Sequence, residues 1–141
     1  MRVIGIDVGA RRIGLAVSDA TRTLARPLET IAVADARDGV ERVARRIAQL
    51  AEEEEGVSAI VVGVPRRLDG SESDMTKMAR AFVDALRART SIPIETADER
   101  LTSVEAESRL AIRERDWKKR KAKLDAAAAA ILLQEYLDRC P

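Results

Sequence analysis

The stretch Met1-Arg-Val-Ile-Gly-Ile-Asp-Val-Gly-Ala-Arg-Arg-Ile-Gly-Leu-Ala-Val-Ser-Asp19 sets two apolar, β-branched runs on either side of a short polar turn. Val3, Ile4, Ile6 and Val8 predict a buried strand, Ile13 to Val17 predicts a second, and Gly9-Ala10-Arg11-Arg12 is the turn between them. Asp7 stands in the first run. An ionised carboxylate on an apolar strand costs on the order of several kcal/mol unless something pairs with it. Three partners would serve: Arg11 or Arg12, the backbone N–H groups of the Gly9 turn, or a divalent cation, which hard oxygen ligands favour. This stretch alone leaves that choice open.

Working outward, 141 residues suit one compact domain, 1–141, with a core that needs neither disulfides nor zinc. Histidine is absent and the single cysteine is Cys140, which excludes a disulfide framework, a Cys/His metal cluster and a histidine-based triad. Carboxylates remain as the available catalysts. The chain runs into its first strand without a signal-peptide pattern, and no apolar run approaches the roughly 20 residues that span a bilayer. A soluble cytoplasmic protein without a membrane partner is the expectation. The net charge of +1 conceals a segregation, with acidic residues crowded at Glu52 to Glu55 and basic ones at Lys118 to Lys123. Phe82, Trp117 and Tyr136 are too few for a base-stacking platform, so any nucleic acid would be held through phosphates and shape.

After a polar turn at Asp19 to Thr23, Leu24 to Ile31 predicts a third strand, which Pro27 assigns to a sheet edge. From Asp38 the period becomes helical through Val40, Val43, Ala44, Ile47, Leu50 and Ala51, with Gly56 where a C-terminal cap belongs and Glu52 to Glu55 as a solvated face. Ser58 to Val64 is a continuous apolar run, expected as a central strand parallel to the first. Pro65-Arg-Arg-Leu-Asp-Gly-Ser-Glu-Ser73 leaves its C-terminal end, where open α/β sheets build their sites. A helix over Ser73 to Arg89 should bury Met75, Met78, Ala79, Phe82, Val83 and Leu86. Ile92 to Ala97 predicts a fifth strand, ending in Asp98-Glu99-Arg100. Thr102 and Glu105 fit a capping box opening a further helix with Ala106 and Leu110 buried. Ala111 to Lys123 is polar and basic enough to suggest a mobile connection, and Leu124 to Arg139 is an alanine-rich helix with Asp125 in its first turn, where the helix dipole alone would favour it. The order β-β-β-α-β-α-β-α-α, three antiparallel strands followed by parallel ones in a mixed five-stranded sheet flanked by helices, is that of an RNase H-like α/β domain.

Gly5-Ile-Asp-Val-Gly9 with Arg12-Ile-Gly-Leu-Ala-Val-Ser-Asp19, Val62-Gly-Val-Pro65 with Asp69-Gly-Ser71, Asp98-Glu-Arg-Leu-Thr-Ser103, and Lys123-Leu-Asp-Ala-Ala127 together resemble the YqgF/RuvX family of pre-16S rRNA nucleases and Holliday-junction-resolvase-like proteins. The motifs span nearly the whole chain in the right order. The resemblance implies an RNase H-like fold, a cytoplasmic location and a divalent-metal nuclease, often a homodimer. Carried over by position, its acidic site is Asp7, Glu99 and Asp125, which would hold Mg²⁺ or Mn²⁺. Of the adjacent pair Asp98 and Glu99, family position favours Glu99, and alternation along a strand lets only one face Asp7. Basic residues available to nucleic acid are Arg11 and Arg12 in the first turn, Arg66 and Arg67, Arg100, and Lys118, Lys119, Arg120, Lys121 and Lys123. The expected task is maturation of the pre-16S rRNA 5′ end, with branched DNA as the alternative substrate. Two other classes are a nucleotide-binding switch, since Asp7-Val-Gly9 before a hairpin also resembles the phosphate loop of actin-like and sugar-kinase ATPases, and a non-catalytic ribosome-assembly or nucleic-acid-binding factor.

Overall fold

The computed structural model describes residues 1–99 and 117–139, with side chains of the second stretch described from Asp125 onward. Arg100 and the helix expected from Thr102 lie outside the described residues. The strands are β1 (Arg2–Val8), β2 (Arg12–Ser18), β3 (Ala25–Ala32), β4 (Val57–Pro65) and β5 (Ile94–Glu99), and the helices are α1 (Ala36–Glu52), α2 (Asp74–Arg87) and α3 (Trp117–Arg139). They form one five-stranded sheet in the order β3-β2-β1-β4-β5. β1 pairs antiparallel with β2, β2 antiparallel with β3, and β1–β4 and β4–β5 are parallel. Pro27, which has no N–H to donate, sits on the edge strand β3 as expected.

Alternation along β1 divides the core in two. Ile4, Ile6 and Val8 face α1 and α2, where they pack with Val43, Ile47, Phe82 and Leu86. Val3 faces α3, in a cluster with Ala16, Val61, Ala97, Ala129, Leu132 and Leu133. Full burial of each large aliphatic side chain here contributes about 1.5–3 kcal/mol. Met75 departs from its expected burial: it lies in the first turn of α2 and is 41% exposed.

Three further boundaries differ from expectation. α1 begins at Ala36 because the Asp35 side chain caps it, accepting from the Asp38 N–H at 2.8 Å. At its other end the acidic run is not merely solvated. Buried Arg2 donates to the carbonyls of Leu50 (3.0 Å) and Gly56 (3.2 Å) and pairs with Glu53 (3.3 Å) and Glu55 (3.7 Å), which offsets the acidic charge at that terminus. β5 continues through Asp98 and Glu99, since the Glu99 carbonyl accepts from the Arg66 N–H at 2.9 Å and extends the parallel ladder to its last residue. α3 is helical from its first described residue, Trp117, so the backbone of Lys118 to Lys123 is helical and Asp125 lies in the interior of the helix. Lysine, arginine and alanine are good helix formers, and composition alone hid that preference behind the charge. The dipole explanation for Asp125 thereby falls away.

Candidate active site

The face of the sheet beneath α3 is built from small residues. A Cβ on Gly14 would lie 2.1 Å from the Asp125 carbonyl oxygen, one on Gly5 would lie 2.8 Å from Leu133 Cβ and 3.0 Å from the Ala129 oxygen, and one on Gly63 would lie 2.9 Å from Leu132 Cδ2. Glycine inside a strand marks a close backbone approach, and here one on each of β1, β2 and β4 lets the helix settle onto the sheet. Gln134 pins the far end by accepting from the Ala25 N–H and donating to the Thr23 carbonyl, both at 2.9 Å.

This packing brings the acidic residues to one place. Asp7 has the same parity as Val3 and Gly5 and so projects to the α3 side, opposite its register partner Gly14, over which Asp125 lies. Glu99 has the parity of Ala97 and reaches the same side, with its Oε2 3.0 Å from where a Gly63 Cβ would be. Burial first and the Asp125 charge second push the Asp7 pKa up to about 7. Burial, then the charges of Asp7 and Glu135, push Glu99 up to about 8. Among the described residues, no cation lowers either value. Asp7 is thus the common member of two repelling pairs, one with Asp125 and one with Glu99.

Asp98 has the opposite parity and faces away, where its Oδ1 accepts from Arg66 Nε at 3.1 Å. Arg66 is also held near Glu72 (3.8 Å) and the Gly70 carbonyl (3.5 Å), so it buttresses the loop after β4. Arg67 and Arg11 are exposed, Arg12 is partly buried, and the side chains of Lys118 to Lys123 lie outside the described residues. The glycine positions and Glu135 were not singled out in the sequence. The alternation of Gly5, Gly14 and Gly63 with large aliphatics was the readable signal, whereas nothing in the sequence distinguished Glu135 from other helix-surface acids.

Three oxygen-bearing carboxylates suit a hard divalent cation. Among the described residues, however, no three Asp, Glu, His or Cys side chains are gathered closely enough to hold one ion. The donor chemistry fits; the side chains stand as pairs. A groove of about 520 Å³ between α1 and α2, floored by Val8 and Ile13, lies on the other face and is mostly apolar. No helix among the described residues is long and apolar enough to cross a membrane.

Comparison with known proteins agrees with this architecture. The family model described as "RuvX: Holliday junction resolvase" matches residues 1–139. A protein of Anaeromyxobacter dehalogenans (strain 2CP-C) described as "Putative pre-16S rRNA nuclease" is 42% identical over 139 residues, covering 99% of this chain and 98% of its own. One of Chloroflexus aurantiacus with the same description is 40% identical over 136 residues, covering 96% and 86%. Among solved structures, Thermus thermophilus RuvC in complex with a Holliday junction substrate superposes with a TM-score of 0.56 at 18% identity, covering 99% of this chain and 94% of that one, a likeness of fold alone. With the family model matched over 139 residues and relatives at about two-fifths identity along nearly their whole length, the chain belongs to the RuvX family.

Proposed function

We propose that this chain is a divalent-metal-dependent nuclease that hydrolyses phosphodiester bonds in structured nucleic acid, with maturation of the pre-16S rRNA 5′ end as its task. The observation that carries the reading is the convergence of Asp7 with Asp125 and Glu99 on one face of the sheet, where the Asp125 charge raises the proton affinity of Asp7 and the Asp7 charge raises that of Glu99. Carboxylates that repel one another in a half-buried site are an unfavourable arrangement for a purely structural role. A divalent cation between them reverses the sign of that interaction. Mg²⁺ or Mn²⁺ held by Asp7, Glu99 and Asp125 would supply an activated water and charge neutralisation at the leaving oxygen.

The protein's own contribution is positioning. Asp7 is fixed by its pairing with Gly14 on β2, Glu99 by the Arg66 N–H on its carbonyl, and Asp125 by the close seat of α3 on Gly14. α3 runs antiparallel to β1, since Asp125 lies over Gly14 while Ala129 and Leu133 lie over Gly5. The eight helical residues before Asp125 therefore project about 12 Å past the carboxylates, carrying Lys118 to Lys123 towards a bound strand. That arm, with Arg11 and Arg67, would grip phosphates independently of sequence.

The test is an assay of the purified protein on a pre-16S rRNA precursor and a four-way DNA junction, each with Mn²⁺, Mg²⁺ or EDTA. Cleavage of the precursor that needs metal and exceeds cleavage of the junction is expected. Preference for the junction would reassign the substrate to branched DNA. Binding of either substrate without cleavage under both metals would overturn the nuclease reading in favour of a non-catalytic factor.

A further inference from the structure

The groove between α1 and α2 lies on the face of the sheet away from the carboxylates, and the proposed nuclease chemistry does not use it. Its floor is core. Val8 and Ile13 from the sheet, Val40 from α1 and Phe82 from α2 line it, and all four belong to the apolar cluster of this face. Its wall on α2 carries alanine at Ala81 and Ala85, one helical turn apart and both exposed. A leucine at either position would extend over the floor, yet about 520 Å³ stays open above core side chains. That volume falls within the roughly 300–1,000 Å³ of sites that take small organic ligands. Apolar surface that a fold leaves uncovered in one place marks a binding site more often than a packing defect.

The mouth of the groove is charged. Arg37 and Arg89 both line it and reach the same oxygen of Glu41, Arg37 Nε at 3.9 Å and Arg89 Nη2 at 3.4 Å. Among the described residues, one carboxylate therefore answers two guanidiniums. Asp35, the acidic residue of the lining, is engaged by α1 itself: its side chain accepts from the Asp38 N–H at 2.8 Å, at the positive end of the helix. A positive excess thus stands at the rim of an apolar hollow, which complements a ligand with an apolar body and one negative group.

We infer that this groove is a binding site separate from the acidic centre, for a compact amphipathic organic anion. Its apolar body lies over Val8, Ile13 and Phe82, and its carboxylate, sulfonate or phosphate group meets Arg37 and Arg89. Glu41 competes with that group for both guanidiniums. The inference does not depend on the nuclease reading, because no residue of the acidic centre takes part.

The test uses two fluorescent probes that share one ring body, anilinonaphthalene sulfonate, which carries the anion, and N-phenylnaphthylamine, which lacks it. Each is titrated into the folded full chain, with binding stoichiometry from calorimetry and the site located by amide chemical shifts. The sulfonate should bind once, should shift Gly9, Val40, Ala81 and Phe82, and should bind more tightly than the neutral probe. Ala81→Leu and Ala85→Leu, both on an exposed helix surface that accepts leucine, should each weaken both probes by at least about tenfold by filling the space. Arg89→Gln should weaken the sulfonate about threefold, the scale of an exposed ion pair, and leave the neutral probe unchanged. Glu41→Gln should do the opposite and tighten the sulfonate by about as much, since it removes the competing carboxylate. That gain is the outcome a merely structural ion pair would not give. Sulfonate binding that survives both leucine variants, or that saturates at more than one site, would overturn the groove as the site. Equal affinity for the two probes, unmoved by Arg89→Gln and Glu41→Gln, would overturn the anionic ligand. A dimer in sedimentation that Ala81→Leu or Ala85→Leu dissociates would assign the groove to a second copy of the chain and overturn the inference as well.

Discussion

Asp98 and Glu99 are neighbours in sequence, yet they stand in different environments because consecutive side chains on a strand point to opposite faces. Asp98 faces Arg66 at 3.1 Å, whereas Glu99 is partly buried in the field of Asp7. The two substitutions should therefore separate. Glu99→Gln should lower single-turnover cleavage by at least about 100-fold, the loss expected when a metal-ligating carboxylate is removed, with the melting temperature held or raised above neutral pH. Asp98→Asn should keep most of the rate and cost less than about 1 kcal/mol, since its ion pair is largely exposed. Paired melting curves and rates decide it, and the opposite pattern would transfer the catalytic role to Asp98. Strand alternation makes this division legible in the sequence, but not the identity of the Asp98 partner. The loop after β4 brings Arg66 to it from 32 residues away, a contact set by tertiary structure.

The close seat of α3 on the sheet makes the helix itself a test. Gly14→Ala would drive a methyl to 2.1 Å from a backbone carbonyl that no side-chain rotation can move, so the helix must lift. A cost of about 1–3 kcal/mol is expected, together with a loss of cleavage out of proportion to it, because Asp125 moves with the helix. Gly14→Ala that melts and cleaves like wild type would show that Asp125 need not be held so closely. The basic arm makes a separate prediction. Changing Lys118, Lys119, Arg120 and Lys121 to Ala should weaken binding to all sequences and flatten its salt dependence by up to about 0.9 log units per log salt for each lost duplex phosphate contact. An unchanged slope would return the arm to a solvated helix. Most elements were legible because their periods are clean: the continuous apolar run of β4, the helical spacing in α1, the Ser73 cap of α2. The start of α3 was not, because dense charge reads as disorder by composition while the same lysines, arginines and alanines favour helix by propensity. Only the tertiary seat at Gly5, Gly14 and Gly63 indicates how far the helix is held against the sheet, and glycines in a strand announce such an approach without naming what approaches.

Stability and pH link the acidic centre to the rest of the molecule. Folding raises Asp7 from 3.8 to about 7 and Glu99 from 4.5 to about 8, so between the lower and upper values the folded chain holds protons that the unfolded chain has released. The folded state then binds more protons than the unfolded one, and stability contributed by these groups falls as pH rises through that window, levelling off above it. Asp19, Asp38 and Asp69 are shifted downward, mainly by hydrogen bonds, so their contributions are lost only as pH falls through their own lower values and do not mask the effect. A divalent cation bound by the deprotonated carboxylates acts against this trend, because it binds the folded state alone and competes with protons for the same oxygens. In EDTA the melting temperature should therefore drop between about pH 5 and about pH 8, with Mn²⁺ restoring it at the upper end and doing little at the lower, where protons hold the site. Asp7→Asn removes the shared member of both repelling pairs. It should flatten the drop in EDTA, abolish most of the Mn²⁺ response and leave substrate binding in place without cleavage. Calorimetric scans of both proteins at the two pH values, with and without Mn²⁺, read the first two effects, and a binding and cleavage assay of Asp7→Asn reads the third. A wild-type melting temperature that climbs with pH in EDTA, or a Mn²⁺ response that survives in Asp7→Asn, would remove Asp7 from the metal-binding role.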